Sequence, residues 1–221
     1  MKNYWTAPEL WAGQTAAIIA GGPSLTEAQV RHAQAAGCRL IAINDQAYRI
    51  AWSADVLYFC DDRWWEWHHG KFDKWPGLIV RLHAAKHDFQ DPRIKVLRRI
   101  GKEGMAPPAI RDGICHGQDS GYQAINVAVL LGARRIVLLG YDMDAPLVNG
   151  KPKLHWWGDH PGGTSPSVFQ SMLKSYPSLA AELKTRGIEV VNCNPASKLA
   201  VFPKMPIEQA LPLNTSQAAT G

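Results

Sequence analysis

Long apolar runs are missing from this chain of 221 residues. Its most hydrophobic stretches, residues 16–20 (AAIIA) and 136–139 (IVLL), are strand-sized, so no segment reads as a helix that spans a bilayer. The opening MKNYWTAPELWAGQ has no apolar core of signal-peptide length, which predicts a cytoplasmic protein. Cysteine is scarce. Cys38, Cys60, Cys115 and Cys193 are widely spaced with no C-x-x-C, a pattern of buried free thiols and not of a zinc ribbon or a disulfide frame. The net charge is +5, yet no Lys/Arg-rich run or C₂H₂ pattern occurs, so an anionic small ligand is expected and nucleic acid is not. A P-loop lysine and a complete G-x-G-x-x-G are also absent.

What is present is alternation. Residues 16–20, 39–43 and 55–59 read as buried strands, with a helix over about 25–36 after the first. Residues 78–82 and 94–97 are further strand candidates. A helix over about 121–131, a strand at 135–139, a long loop to Thr164, a helix over about 166–185 and a strand at 188–192 follow. This order predicts an α/β chain: a single Rossmann-like domain over 16–203, its mostly parallel sheet covered by helices on both faces. Residues 1–15 form an N-terminal extension, and 204–221, ending NTSQAATG, read as a disordered tail.

Ligands of such folds bind beyond the carboxyl ends of the strands, so the loops there carry the functional information. Strand one runs into Gly21, Gly22, Pro23 and Ser24, where Ser24 and Glu27 have capping-box spacing. This is either a tight turn or an anion cradle at a helix start. In the second case a valine at position 22 should block nucleotide binding and leave the fold intact. Asp119-Ser120-Gly121-Tyr122-Gln123 repeats the spacing at Ser120 and Gln123. Two such ends on one sheet edge suggest a phosphate-bearing ligand between them. Asn44 follows strand two, Asp61 and Asp62 follow strand three, and Asp142 and Asp144 follow the strand at 135–139. Asn44 could read a base or ribose; the carboxylates could bind hydroxyls or Mg²⁺, or cap helices. Nine tryptophans are many. Trp64, Trp65, Trp67, Trp156 and Trp157 fall in two loop-like clusters, the usual place for site-lining aromatics.

The stretch LHWWGDHPGG, residues 154–163, concentrates His155, Asp159 and His160 with two indoles. An imidazole suits removal of a hydroxyl proton near neutral pH. His160, beside Asp159 and a glycine-rich turn, is the stronger base candidate, and His155 is a packing residue or a second catalytic one. Three possible ligands fall short of the four of structural zinc, so no metal is expected here.

Together AIIAGGPSL, INDQ and DSGYQAINVAVLLGARRIVLLGYDMD resemble the bacterial sialyltransferase superfamily. That grouping includes the flagellin-glycosylation (Maf, DUF115) proteins and the archaeal 6-hydroxymethylpterin pyrophosphokinases; the ending looks most like short phage- and prophage-borne members. The resemblance covers residues 16–203. It implies that Gly21, Gly22, Pro23, Ser24, Asn44, Ser120 and Gly121 contact a nucleotide, with Asp61 and Asp142 beside them. It also implies a catalytic histidine in the loop holding His155 and His160. The sialyltransferases carry Asn where this chain has Gly22, and Asn near the position of Asp61; an acidic pair there is closer to the Mg²⁺-binding pyrophosphokinases. The expected function is a glycosyltransferase moving a sugar from a CMP-sugar-like donor to a hydroxyl acceptor through a histidine base, with no obligatory cofactor. The alternatives are an Mg²⁺-dependent pyrophosphokinase and a non-catalytic nucleotide-sequestering protein. The expected partner is a nucleotide or nucleotide-sugar, without membrane association; the acceptor and any homo-oligomer are left open.

Overall fold

The central strands are apolar at consecutive positions, so both of their faces must be covered. In the computed structural model, which describes residues 3–83, 91–158 and 165–213, this demand is met by one eight-stranded sheet between two helical layers. Its strands are β1 (Thr15–Ile19), β2 (Arg39–Ile43), β3 (Val56–Phe59), β4 (Leu78–Leu82), β5 (Ile94–Gly101), β6 (Gly113–Cys115), β7 (Arg135–Leu139) and β10 (Glu189–Asn192). The order is β10-β7-β1-β2-β3-β4-β5-β6, with every pairing parallel. Alternate residues serve opposite layers. Ala16, Ile18, Ile41, Ile43, Val56 and Tyr58 face the core beneath α4 (Ser120–Leu130) and α6 (Tyr176–Thr185). Ala17, Ile19, Leu40, Ala42, Leu57 and Phe59 face the core that takes in residues of α1 (Glu27–Ala35), α3 (Asp62–His68) and α7 (Ile207–Ala210). The architecture is the expected Rossmann-like one.

Three local expectations are corrected. Trp64 and Trp65 are not in a site-lining loop: both lie in α3, buried, with Trp65 stacked on Phe59 at 4.8 Å. The run of large aromatics after β3 packs onto the sheet face through Phe59, which Trp64 also approaches, at 5.6 Å between ring centroids. Residues 204–213, expected to be disordered, continue the fold. Lys204 bridges Asn192, and Ile207, Ala210 and Leu211 are buried where α7 meets α1. The expected helix over 166–185 is two, α5 (Val168–Leu173) and α6, broken at Ser175. Elements the pattern did not announce are the short helix α2 (Gln46–Arg49), a 3₁₀ turn at His69–Phe72 and the exposed hairpin β8 (Leu147–Val148) and β9 (Lys151–Pro152). The N-terminal segment is stitched on by Trp5 and Trp11, whose amides donate to Val96 and Leu131 carbonyls at 2.9 and 2.8 Å.

The chain proceeds outward from β1 through β6, then returns to β1's other side for β7. The switch point therefore lies between β1 and β7, and a crevice is expected beyond their carboxyl ends.

Candidate nucleotide site

A cavity of about 200 Å³ occupies that place. Gly21 and Gly22 after β1, Asn44 and Gln46 after β2, Asp119 to Gly121 at the start of α4, and Gly140 to Asp144 after β7 line it together with His155 and Trp157. The topology has thus gathered loops from four separate parts of the chain. Of the residues expected at the site, Gly21, Gly22, Asn44, Ser120, Gly121, Asp142 and His155 border one cavity. Pro23, Ser24 and Asp61 are not among its lining residues. Asp159 and His160 lie outside the described residues.

The glycine loop is held by a carboxylate. Asp142 accepts the Ser24 amide at 3.1 Å, the Ser24 hydroxyl at 2.8 Å and the Asn194 side-chain amide at 3.0 Å. Burial raises the Asp142 carboxyl above its ordinary range, and the two Ser24 bonds pull against that shift. Ser24 is consequently not the helix cap. Thr26 caps α1 in a reciprocal box with Gln29, and Ser24 is turned inward. The same displacement occurs at α4, where Asp119, not Ser120, is the N-cap and accepts the Tyr122 amide at 2.8 Å. Ser120 is left with its hydroxyl 3.1 Å from the Cys60 thiol. Burial pushes that thiol up to about 11, which makes it a neutral group and no nucleophile.

Gly22 is needed for packing. A Cβ there would stand 2.0 Å from Asp142 Oδ2 and 2.4 Å from the Gly140 carbonyl oxygen. The expectation that Gly22→Val leaves the fold intact is therefore corrected. The variant should lose about 1–3 kcal/mol in urea unfolding through overpacking, together with its nucleotide affinity. Normal unfolding in Gly22→Val would show that the loop has room that the geometry denies it. Gly121 is similarly enclosed, with a Cβ meeting Tyr141 at 2.8 Å and Asp119 Oδ1 at 2.9 Å.

The HWW stretch docks directly on the glycine loop. The Trp156 amide donates to the Gly21 carbonyl and its indole N–H to Gln46 Oε1, both at 3.1 Å. Buried Gln46 is fixed in turn by donating from Nε2 to the Ile43 carbonyl at 2.8 Å. The Trp157 ring lies where a Cβ on Gly21 would be, 2.7 Å away, so only glycine permits this closure. His155 stacks on Trp157 at 4.7 Å, and the Arg49 guanidinium lies 5.4 Å from the Trp157 ring centroid. Trp157 thus borders the cavity, and Trp156 holds the segment against the glycine loop. Gln46 was missed because its role depends on a contact 110 residues away in sequence.

The acidic pair after β3 is engaged elsewhere. Asp61 caps α3 through the Arg63 amide at 3.0 Å and pairs with the Arg63 guanidinium at 3.1 Å. Burial pushes its carboxyl up, but the Arg63 contacts outweigh this and hold it below the ordinary range. Buried Asp62 accepts a 2.6 Å bond from Arg81, itself 1% exposed. No group of three or more His, Cys, Asp or Glu suited to a metal ion occurs among the described residues. Both carboxylates after β3 are thus paired with arginines.

Asn44 adopts a left-handed backbone, φ 52°, and its buried Oδ1 has no hydrogen-bond partner. Such a conformation is uncommon for a non-glycine residue, although Asn tolerates it best. An unpaired buried acceptor at a cavity is the kind of group a ligand satisfies. A larger cavity, about 420 Å³, opens at the opposite, amino edge of the sheet between Gly13, Met105, Arg111, Val129, Arg134 and Arg186. Its arginines already serve the protein: Arg111 donates to the Ala7 and Leu130 carbonyls and to Glu9, and Arg186 to the Ala106 carbonyl. Size favours that cavity, but unsatisfied polar groups and topology favour the smaller one.

No protein-family model matches the sequence, and no curated protein does. In fold, the chain is similar to the sialyltransferase CstII from Campylobacter jejuni, solved in complex with a substrate analogue, cytidine-5′-monophosphate. The TM-score is 0.51 at 12% identity, covering 88% of this chain and 85% of that one. The protein therefore has a sialyltransferase-like α/β fold. Among the described residues no helix is long and apolar enough to cross a membrane.

Proposed function

We propose that the protein is a nucleotide-dependent glycosyltransferase, taking a sugar from a CMP-sugar-like donor to a hydroxyl acceptor. The observation that carries this reading is the cavity at the β1/β7 switch point, in a fold shared with a CMP-bound sialyltransferase. Its volume, about 200 Å³, is below the roughly 300–1,000 Å³ of ordinary ligand sites. Part of the nucleotide would therefore extend into the open mouth beside His155 and Trp157.

In this reading Gly21, Gly22, Asn44, Ser120 and Gly121 contact the nucleotide, and Pro23, Ser24 and Asp142 shape the glycine loop. Asp61 supports the site from the α3 cap. His160 removes the acceptor proton, oriented by Asp159, while His155 packs on Trp157 as part of the wall. The motif resemblance to flagellin-glycosylation and phage-borne proteins belongs to the same reading, as does a cytoplasmic location. Pyrophosphoryl transfer is the weaker alternative because Asp61 and Asp62 are already paired with arginines.

A thermal-shift panel of CMP, CDP, UDP, GDP, ADP and ATP, with and without Mg²⁺, tests the proposal. A ligand at 100 times its Kd should add about 2.7 kcal/mol of stability. The glycosyltransferase reading expects cytidine nucleotides to stabilise the protein without Mg²⁺. A response confined to ATP with Mg²⁺ would replace it with the pyrophosphokinase.

A further inference from the structure

Asp119 was absent from the residues expected to bind, and its surroundings are unusual. Oδ1 is doubly engaged, by the Tyr122 amide at 2.8 Å and the Tyr176 hydroxyl at 3.0 Å. The Gly121 amide also approaches the carboxylate, but the buried Oδ2, on a residue 8% exposed at the cavity, has no hydrogen-bond partner among the described residues. Asn44 Oδ1, bordering the same cavity, is also unpaired. Two buried acceptors without donors carry a desolvation cost that a ligand bearing N–H or O–H groups removes.

We propose that Asp119 is a specificity residue which, with Asn44, accepts hydrogen bonds from the nucleoside part of the ligand, its ribose hydroxyls or its exocyclic amino group. This rests on the proposed nucleotide site. It places the nucleoside at the α4 end of the cavity, because an ionised Asp119 repels phosphate. The phosphate then lies toward Gly21 and Trp157.

The arrangement makes binding depend on pH. Burial pushes the Asp119 carboxyl up to about 6, and the Tyr122 amide, the Tyr176 hydroxyl and the Gly121 amide restrain the rise. The groups facing it are Tyr58 from β3, the Cys60 thiol just after that strand, Tyr141 from the loop after β7 and Tyr176 from α6, with Asp142 and His155 on the cavity wall. The thiol and the three phenols are raised by burial, so they stay protonated below about pH 8. A carboxylate that must accept is competent above its folded pKa, so affinity should strengthen as pH rises through about 6.

Calorimetric titration with cytidine tests this without the confounding ionisation of a phosphate near pH 6. Wild type should bind about tenfold more tightly near pH 8 than near pH 5, where only about a tenth of Asp119 is ionised. Asp119→Asn retains an Oδ1 for the Tyr122 amide and should bind weakly and equally at both pH values. In wild type, loss of the pH dependence with 2′-deoxycytidine assigns the ribose hydroxyl, and loss with uridine assigns the amino group. Both comparisons hold even if the variant fails to fold. Equal affinity of wild type at both pH values, or an unchanged profile in folded Asp119→Asn, would overturn the role of Asp119. Absence of binding by cytidine, CMP and every other nucleotide would instead remove the nucleotide site itself, and this role with it.

Discussion

Asp62→Ala should destabilise the protein by about 3–5 kcal/mol, because it removes a buried carboxylate paired with the Arg81 guanidinium inside the fold. Arg81 is the largest of the fully buried side chains, and its bond to Asp62 is 2.6 Å long. It also donates to the Leu82 carbonyl at 3.1 Å, and its guanidinium lies 5.5 Å from the Phe59 ring centroid. The carbonyl and the ring carry no net charge, so neither replaces the carboxylate. For a domain of this size each kcal/mol moves the melting temperature by roughly 2–4 °C, so a fall of about 10 °C is expected. Urea unfolding measures the loss directly. The double variant Asp62→Leu/Arg81→Met should recover most of it, since a buried ion pair replaced by apolar groups is often nearly neutral. A catalytic Mg²⁺ ligand would behave otherwise: Asp62→Ala would leave stability intact and abolish a metal-dependent reaction. A small stability change would therefore reopen the pyrophosphokinase reading.

His160→Ala should lower kcat by about 10²–10⁴-fold, the usual contribution of a positioned acid–base group, with donor affinity little changed. The wild-type rate should fall in acid, because only a neutral imidazole accepts a proton. His155→Ala separates the two histidines. Its ring stacks on Trp157 and borders the cavity, so its loss should loosen the wall and raise KM more than it lowers kcat. Steady-state kinetics on both variants check the assignment. If His155→Ala carries the kcat loss and His160→Ala does not, the base is His155.

The sheet was legible because the fold's physical demand is local. Strands such as AAIIA, RLIAI and DVLYF contain no polar residue within the buried part, and only a sheet covered on both sides can use them. The site was legible as a set of loops but not as a set of bonds. Capping-box spacing occurs twice at α1, at Ser24/Glu27 and at Thr26/Gln29, and local pattern cannot choose between them. The choice is made by Asp142, 118 residues from Ser24, which claims its hydroxyl and amide. At α4 the competition is between Asp119 and Ser120, and the deciding contacts again come from afar, through Tyr176 and Cys60. The α3 tryptophans misled for a related reason: WWEW has too few residues to display a helical period, so its burial on Phe59 was invisible before the sheet was assembled. The tail at 204–213 was misread because Pro206 and Pro212 interrupt its apolar residues, whose burial appears only where α1 receives them.

The central claim is that a cytidine nucleotide binds between the glycine loop and α4, under the HWW segment. The indole N–H resonances of the nine tryptophans read this directly in a CMP titration followed by ¹H–¹⁵N NMR. Trp157 lines the cavity and Trp156 donates its indole N–H to Gln46 at 3.1 Å, so these two resonances should move first and furthest. Trp5, Trp11, Trp52 and Trp75, attached to other parts of the sheet, should stay in place. Unmoved Trp156 and Trp157 resonances at saturating CMP, or shifts confined to Trp5 and Trp11 near the amino edge, would contradict the account.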